Sequence, residues 1–186
     1  PFGFFKIKFS IERVHKGGAK FDFEKAKWYN GEWIKKYKVE GLRSKVKEVL
    51  GDIVANHNDA FLDKVIELTK DRCTLLNDFV QQASFFFKLP ETIDTAAIKP
   101  KWDEKKNLFF VEAIRMFQQS ALWEATDLET SFKELAAANE LKPGELMLPL
   151  RIMLVGGKFG PGVFDIAAIT GKDETVKRIE HTLSLL

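Results

Sequence analysis

The chain has 186 residues, with 29 Lys and Arg against 27 Asp and Glu, and a formal net charge of +2. This length can bury a hydrophobic core as one domain or as two small ones. The near-neutral charge excludes a chain that is basic over its whole surface, so nucleic-acid binding would require a local basic face.

The apolar runs, the cysteine count and the first residues bear on the class of protein. No stretch approaches the roughly 20 apolar residues that a membrane helix requires, so we expect no membrane partner. The lone cysteine, Cys73, excludes an intrachain disulfide and favours a reducing compartment such as the cytoplasm. The sequence begins at Pro1 without an initiator Met or a signal-peptide pattern, so we expect a fragment or a processed piece of a longer protein.

The first half of the chain predicts mainly helices. Residues 4–9 alternate apolar and basic side chains, which fits a short strand or a poorly ordered end, and residues 16–20 form a loop. Asp22 is placed to cap a helix that runs over 23–30 and ends at Gly31. Apolar residues at helical spacing predict three further helices, over 42–50, 59–69 and 74–87.

A connection with two prolines opens the second half. Residues 90–103 are the predicted boundary between two subdomains, because prolines interrupt regular structure there. A helix is predicted over 104–119. Thr126 and Glu129 have the spacing of a capping box, which predicts that a helix begins there and runs to residue 139.

Prolines and glycines punctuate the last third. Pro143 suits the first residue of a helix, whereas Pro149 is expected to bend or break that helix. Pro161 can open a further helix that Gly171 closes, and residues 173–186 predict an amphipathic terminal helix. Together these elements predict a mainly α protein.

The sequence predicts no reactive centre. The three histidines, His15, His57 and His181, are far apart and lack a companion cysteine pair, so we expect no metal site. Cys73 fits a small half-buried thiol better than a nucleophile. The glycine-rich turn at residues 156–162 lacks the lysine and hydroxyl residue that follow the last glycine of a phosphate-binding loop. We therefore expect no catalytic residue in this chain.

Residues 148–172 carry the clearest resemblance to a known family. They match the pattern PLR-x-x-L-x-G, then PG-x-F, then LGK, at Pro149-Leu150-Arg151, Leu154, Gly156, Pro161-Gly162, Phe164 and Thr170-Gly171-Lys172, with Thr170 in the place of the leucine. This pattern resembles the C-terminal anticodon-binding part of bacterial glutamyl-tRNA synthetases. Residues 9–31 look like the segment after the second catalytic signature of that family. Arg72, with Phe79 and residues 83–87, is similar to its arginine helix.

The resemblance implies a fold, and it implies separate roles for this chain and for the rest of the parent enzyme. The fold is expected to be a mainly α, two-subdomain helical bundle of the class I glutamyl-tRNA synthetase anticodon-binding type. A stem-contact remnant would occupy residues 1–38, and helical subdomains would occupy 39–94 and 95–186. The HIGH-type and KMSKS-type signatures that bind ATP in class I synthetases are absent from the sequence. The fragment is therefore expected to bind no cofactor and to be inactive alone, whereas the parent enzyme would use ATP and Mg to ligate glutamate to tRNA.

Arg72 is the sharpest binding candidate, and it is predicted to lie at the start of an amphipathic helix. The alternative is a surface arginine paired with Asp71 or Glu67. In the resembled family the matching arginine reads the third anticodon base. An arginine fork only donates hydrogen bonds, and cytosine offers the acceptors N3 and O2 where guanine presents an N–H donor. The resemblance therefore implies that Arg72 favours the cytosine of glutamate anticodons over the guanine of glutamine anticodons.

Four residues of the glycine-rich block are expected to complete the anticodon pocket. The resemblance implies that Arg151 packs beside an anticodon base, although a buried ion pair or a helix-end contact explains this arginine equally well. Gly160 and Pro161 fit a close backbone approach to a base or phosphate. Val163 fits an apolar wall or core packing. Phenylalanines 85–87 are expected to pack in the core rather than to stack on bases.

A stripe of lysines lies around Trp28 and Trp33 in the first predicted helix and just after it. Such stripes are usually solvated helix faces, but the matched family segment contacts the tRNA stem, so phosphate contacts are expected here. The predicted stem-contact residues are Lys25, Lys27, Trp28, Lys35 and Lys36.

The partners implied by the resemblance are tRNA(Glu) and the catalytic domain of the same parent chain, with the protein expected to be a monomer. Two other functions remain open at this point. One is a helical protein-interaction module that binds partners through aromatic-rich grooves without binding nucleic acid. The other is a small standalone enzyme built around Cys73 or His57.

Overall fold

A computed structural model describes residues 21–186, and within this range the chain forms nine α-helices joined by turns of 3₁₀ helix, with no strand. The helices are α1 (Phe23–Lys36), α2 (Val39–Leu50), α3 (Asp59–Thr69), α4 (Asp78–Ala83), α5 (Glu104–Gln119), α6 (Ala125–Ala138), α7 (Pro143–Val155), α8 (Val163–Thr170) and α9 (Lys172–Leu183). The mainly α prediction is confirmed. The predicted strand at 4–9 and loop at 16–20 lie outside the described residues. No helix of the described part is long and apolar enough to cross a membrane.

Helix α1 begins as predicted and continues further than predicted. The Asp22 carboxylate accepts a hydrogen bond from the Lys25 backbone N–H at 3.0 Å, which caps the first turn. The predicted end at Gly31 is wrong, because α1 runs on to Lys36. Gly31 is buried, and a Cβ at this position would lie 3.3 Å from the Thr74 methyl. This glycine therefore permits a close approach of two segments rather than ending the helix.

The predicted continuous helix over 74–87 is also wrong. Residues 74–77 form a turn because the Asp78 carboxylate accepts hydrogen bonds from the backbone N–H groups of Thr74 and Leu75, at 2.8 and 2.9 Å, and from the Thr74 hydroxyl. Such side-chain bonds compete with a helical backbone. Burial raises the pKa of Asp78, but the backbone hydrogen bonds outweigh it and hold that pKa below its usual value. Arg72 consequently lies in a 3₁₀ turn, Lys70–Arg72, and not at the start of an α-helix.

Two proline and capping predictions differ from the structure. Helix α6 begins at Ala125 after Glu124, which makes no side-chain cap, so the predicted capping box at Thr126 does not form. Helix α7 begins at Pro143 as predicted but continues unbroken through Pro149. Proline removes one helical hydrogen bond. Pro149 is buried here, and the packing of α7 against α6, α8 and α9 retains the helix.

Of the two turn predictions around α8, one is confirmed and the other is wrong. Gly171 ends α8, as predicted, with φ of 90°. Pro161 does not open that helix, which begins at Val163 after Gly162. The glycine suits the extended cap position, and the proline is instead buried in the preceding turn.

One hydrophobic core extends through residues on both sides of position 94. Helices α5 and α6 contribute the phenylalanine centre of this core, with Phe109, Phe117 and Phe132 fully buried. Helix α9 packs against α5 and α7, and α3 contacts α8. The predicted core role of phenylalanines 85–87 is confirmed for Phe85 and Phe86, each 4% exposed, whereas Phe87 is half-buried and packs against the core from outside. The subdomain limits at 38 and 94 stay a prediction.

Candidate nucleic-acid interface

Arg151 holds the glycine-rich turn through a single nitrogen. Its guanidinium Nη1 donates to three consecutive backbone carbonyls, those of Phe159 at 3.1 Å, Gly160 at 3.0 Å and Pro161 at 2.6 Å. Among the described residues no hydrogen bond is formed by Nε or Nη2 of Arg151. One nitrogen therefore fixes the shape of the turn while the other donors are left for a ligand.

The turn itself requires glycine at two positions. Gly156 ends α7 with φ of 82°, and a Cβ there would clash with the Thr92 carbonyl oxygen. Its carbonyl accepts a hydrogen bond from the Asp94 N–H at 2.9 Å. Gly160 has φ of 95° and packs against the Phe85 ring. These contacts join the turn to the connection that follows α4, so the turn has a fixed position on the core.

Arg72 lies close enough to Arg151 for their charges to interact. Burial lowers the pKa of Arg151, and the positive charge of Arg72 lowers it further. In residues 21–186 neither arginine pairs with a carboxylate, and Glu67 pairs instead with Lys70 at 2.7 Å. The alternative of an Arg72 ion pair with Asp71 or Glu67 is therefore wrong for the described residues. Two neighbouring cations without a local counter-charge are the arrangement that binds an anionic ligand.

The other predicted pocket residues contribute backbone more than side chain. Gly160 and Pro161 are buried, and their carbonyls accept from Arg151. Val163 is 4% exposed and belongs to the hydrophobic core, so core packing describes its side chain here. Its predicted contact with an anticodon base stays a prediction, as do those of the other four pocket residues.

A cleft of about 240 Å³ adjoins this turn, and we name it the Phe159 cleft. The rings of Phe85 and Phe159 line it, with centroids 6.1 Å apart, and Lys88, which pairs with Glu91 at 2.6 Å, lies with Gln81 among its polar lining residues. Aromatic rings beside a cation are typical of surfaces that bind unpaired bases. Sequence reasoning identified its turn but did not predict the cleft.

The predicted stem-contact residues lie on α1, which packs against the 3₁₀ turn that carries Arg72. All five side chains are exposed: Lys25, Lys27, Trp28, Lys35 and Lys36. Lys35 pairs with Glu32 at 3.0 Å and Lys27 approaches Glu24 at 4.0 Å, so part of the positive charge is balanced within the helix. Trp28 is 60% exposed. The face is accessible to a large ligand, and its contact with a tRNA stem stays a prediction.

Two cations that sequence reasoning did not assign hold the site in place. Arg178 on α9 is 2% exposed and donates to the Leu154 carbonyl at 2.7 Å and to Glu174 at 2.9 Å. Lys172 donates to the carbonyls of Gln118 and Ser120 and so satisfies the C-terminal end of α5. The spacing of Glu174 and Arg178, four residues apart on a helix, was the available signal for the first.

The groups considered for catalysis are in unreactive surroundings. Cys73 is 1% exposed, and burial raises the pKa of its thiol to about 12. A thiol in this state is a poor nucleophile. His57 packs against the rings of Phe61 and Phe87. Within the part of the chain that the structure describes, no group of three His, Cys, Asp or Glu residues could hold a metal ion.

Comparison with known proteins agrees with this geometry. Residues 24–183 match the family model described as an anticodon binding domain. The chain is 34% identical to a glutamate–tRNA ligase of Flavobacterium johnsoniae over 96% of its own length and 35% of that protein, and 31% identical to one of Prosthecochloris aestuarii over 93% and 36%.

Solved structures give the same result. The chain superposes, with a TM-score of 0.86 and 34% identity, on a crystal structure of a glutamate tRNA ligase from Elizabethkingia meningosepticum, covering 96% of this chain and 35% of that one. A glutamate–tRNA synthetase from Elizabethkingia anophelis gives a TM-score of 0.82 at 33% identity, covering 95% and 34%. The chain thus spans about a third of the length of the proteins it matches. Its match over nearly its whole length shows that it belongs to the anticodon-binding domain family.

Proposed function

We propose that the chain selects tRNA(Glu) by its anticodon, as the anticodon-binding part of a glutamate–tRNA ligase. The observation that carries this proposal is that Arg72 is exposed, that Arg151 forms hydrogen bonds through Nη1 alone, and that neither arginine has an ion pair within the described part of the chain. The names of the relatives support the choice of tRNA, and the two guanidinium groups supply the charge that an RNA loop requires.

Arg72 is the proposed reader of the third anticodon base. Its side chain is exposed and makes no ion pair with the described residues, so its donors are accessible. Cytosine can accept from this fork through N3 and O2, whereas guanine presents an N–H donor on its pairing edge. The proposed selection therefore comes from hydrogen bonds to one base edge, and the affinity comes largely from phosphate contacts.

The remaining steps are proposed for the longer protein. It would ligate glutamate to tRNA in the cytoplasm, with ATP and Mg bound in a catalytic domain of the same polypeptide that this chain does not include. This chain would orient the tRNA, as a monomer, through Arg72, Arg151 and the backbone of Gly160 and Pro161. The lysines of α1 would add contacts to phosphates of the tRNA stem.

The chief rival is a helical module that binds a protein partner and no nucleic acid. The exposed aromatic residues of α1 favour it, since Trp28 and Trp33 are 60% and 64% exposed. Large exposed aromatic residues are enriched at protein interfaces. The standalone-enzyme alternative has less support, because the Cys73 thiol is buried and held protonated. Its test is thiol alkylation, which would have to abolish a turnover activity.

Binding measured against salt separates the two leading proposals. We expect the affinity of the chain for a glutamate tRNA transcript to fall with salt, with log K against log[salt] decreasing by roughly 0.7 to 0.9 for each phosphate contact. A protein-interaction module would instead bind an amphipathic peptide with an affinity that changes little with salt. Absence of any salt-dependent tRNA binding would contradict the proposed function.

A further inference from the structure

A second cleft, of about 380 Å³, lies where α3, the segment after α4 and the α8–α9 junction meet. It shares Lys88 and Leu89 with the Phe159 cleft. We name it the Thr170 cleft, after the one residue of α8 that lines it. None of the residues that line this cleft belongs to the proposed anticodon pocket.

Three aromatic rings form one part of the Thr170 cleft. His57 and Phe61 stack with centroids 5.3 Å apart, and the Phe87 ring stands nearly perpendicular to both, at 5.0 and 5.6 Å. All three residues are half-buried, so each leaves part of its ring accessible. The cleft therefore offers apolar, planar surface on which a flat ring can stack.

The hydroxyl of Thr170 is the second feature. Its Oγ1 is buried and has no hydrogen-bond partner among the described residues. Thr69 and Thr182, by contrast, donate to the carbonyl four residues earlier, at 2.6 and 3.0 Å. An unpaired buried hydroxyl is costly, so a rotation of the Thr170 side chain that turns the hydroxyl toward a polar ligand atom in the cleft is favourable. Thr170 is also where the chain departs from the leucine of the LGK pattern.

Positive charge surrounds the cleft. Lys88, Lys177 and Arg178 line it together with one carboxylate, that of Glu174. Glu174 is engaged by Arg178 at 2.9 Å, and Lys177 approaches it at only 4.0 Å. The two lysines are exposed, so their ammonium groups can reach a ligand at the mouth of the cleft. Lys88 pairs at 2.6 Å with Glu91, a carboxylate outside the cleft lining, so Lys177 is the cation most available to an anionic group such as a phosphate.

We propose that the Thr170 cleft binds a nucleotide. Its base would stack on the His57–Phe61–Phe87 rings and hydrogen-bond to the Thr170 hydroxyl, while its phosphate lies near Lys177 and Lys88. The nucleotide is either an unpaired residue of the bound RNA or a free mononucleotide. This inference concerns residues other than Arg72 and Arg151, so it can fail while the proposed function stands.

The test replaces Thr170→Val, which removes the hydroxyl and keeps the shape. Thr175→Val is the matched control, because its Oγ1 is also buried without a partner among the described residues but does not line the cleft. Calorimetric titration with AMP, with CMP and with a hairpin RNA carrying the glutamate anticodon loop gives the affinities. We expect Thr170→Val to weaken binding of at least one probe by about three- to tenfold, and Thr175→Val to leave every probe unchanged.

The pattern of affinity changes identifies the source of the nucleotide. Weaker binding of AMP or CMP assigns the cleft to a free mononucleotide, and weaker binding of the hairpin alone assigns it to the RNA. Equal affinities of Thr170→Val and Thr175→Val for all three probes would overturn the proposal. If the chain binds no hairpin, the proposed function fails. The titrations with AMP and CMP then still test whether the Thr170 cleft binds a nucleotide.

A second variant keeps the test valid if the valine change disturbs the fold. Lys177→Ala removes an exposed charge at the mouth of the cleft, and Lys133→Ala, an exposed lysine on α6 paired with Glu129, is its control. We expect Lys177→Ala to weaken the same probe that Thr170→Val weakens, with a smaller dependence of affinity on salt. Identical behaviour of the two lysine variants would count against the cleft.

Discussion

Arg178 on α9 and Arg151 on α7 are both withdrawn from solvent, but their charges are compensated differently. Arg178 has a carboxylate partner, Glu174, and is 2% exposed. Arg151 is half-buried, donates to three carbonyls, and has a second cation, Arg72, as its charged neighbour. Burial lowers the pKa of both, but only for Arg178 does a carboxylate oppose this effect.

The difference separates a structural arginine from a binding one. A buried cation that pairs with a carboxylate has its charge compensated within the fold. A cation that is raised in energy by a like charge gains most when an anion arrives. We therefore expect changes at Arg178 to act on stability and changes at Arg151 to act mainly on RNA binding.

The largest effect is expected for Arg178→Met. The substitution leaves the Leu154 carbonyl and the Glu174 carboxylate without their partner, so we expect the free energy of unfolding to fall by about 3 kcal/mol. Urea denaturation followed by circular dichroism measures this change. Arg115→Met, an exposed arginine on α5, is the control and should cost less than about 0.5 kcal/mol. Equal losses for the two variants would remove the structural role given to Arg178.

The second-largest effect is expected for Gly156→Ala. Gly156 ends α7, the helix that carries both Arg151 and the Leu154 carbonyl to which Arg178 donates. A Cβ would clash with the Thr92 carbonyl oxygen, and the backbone has a φ that disfavours other residues, so we expect a loss of about 2 kcal/mol in unfolding free energy. Gly144→Ala in the first turn of α7 has open space around its Cβ and should be neutral or stabilising by about 0.5 kcal/mol. A neutral Gly156→Ala would show that the turn is not fixed as described.

Arg151→Met should weaken tRNA binding more than it lowers stability, in contrast to Arg178→Met. Removing its hydrogen bonds to the turn carbonyls is expected to cost about 1 kcal/mol of stability, whereas tRNA affinity should fall about tenfold. Thermal unfolding and filter binding on the same preparation compare the two effects. A variant as destabilised as Arg178→Met that kept its tRNA affinity would abolish the distinction between the two arginines.

The smallest effect is expected on the face of α1. Replacing Lys35 and Lys36 together by alanine should weaken binding to all tRNA sequences about equally. It should also reduce the salt slope by about 1 for each phosphate that these lysines neutralise in the wild-type chain. Lys133→Ala on α6 serves as the control for charge alone. Binding titrations at several salt concentrations measure the slope. An unchanged slope would remove these lysines from the tRNA interface.

Local signals in the sequence predicted much of the fold. The Asp22 cap, the helix over 59–69 and the helix over 104–119 depend on neighbouring residues, and the structure has them at these positions. The turn at 74–77 was not predictable from apolar spacing, because the Asp78 side chain replaces the helical bonds that the spacing favours. The helix through Pro149 depends on burial by distant segments, which no local pattern reveals.

In the candidate site, too, some residues were identified from the sequence and others were not. Arg72 and Arg151 were found through a family resemblance, since no periodicity relates two residues so far apart in sequence. Arg178 was missed because the groups that it binds are distant in sequence. The Leu154 carbonyl is 24 residues away, and the Lys88 carbonyl, which accepts a long hydrogen bond from Arg178 at 3.5 Å, is 90 residues away. The Thr170 cleft combines residues from three separated segments, and its unpaired hydroxyl can be recognised only once the helices are in place.

The most direct test is a comparison of two tRNAs on the wild-type chain and on Arg72→Ala. One is a glutamate tRNA transcript, and the other has the third anticodon base changed from C to G. The wild-type chain should prefer the first by about 10- to 100-fold, and Arg72→Ala should lose most of that preference while its free energy of unfolding stays the same. If Arg72→Ala leaves both affinities and their ratio unchanged, Arg72 does not read the anticodon and the central claim is wrong.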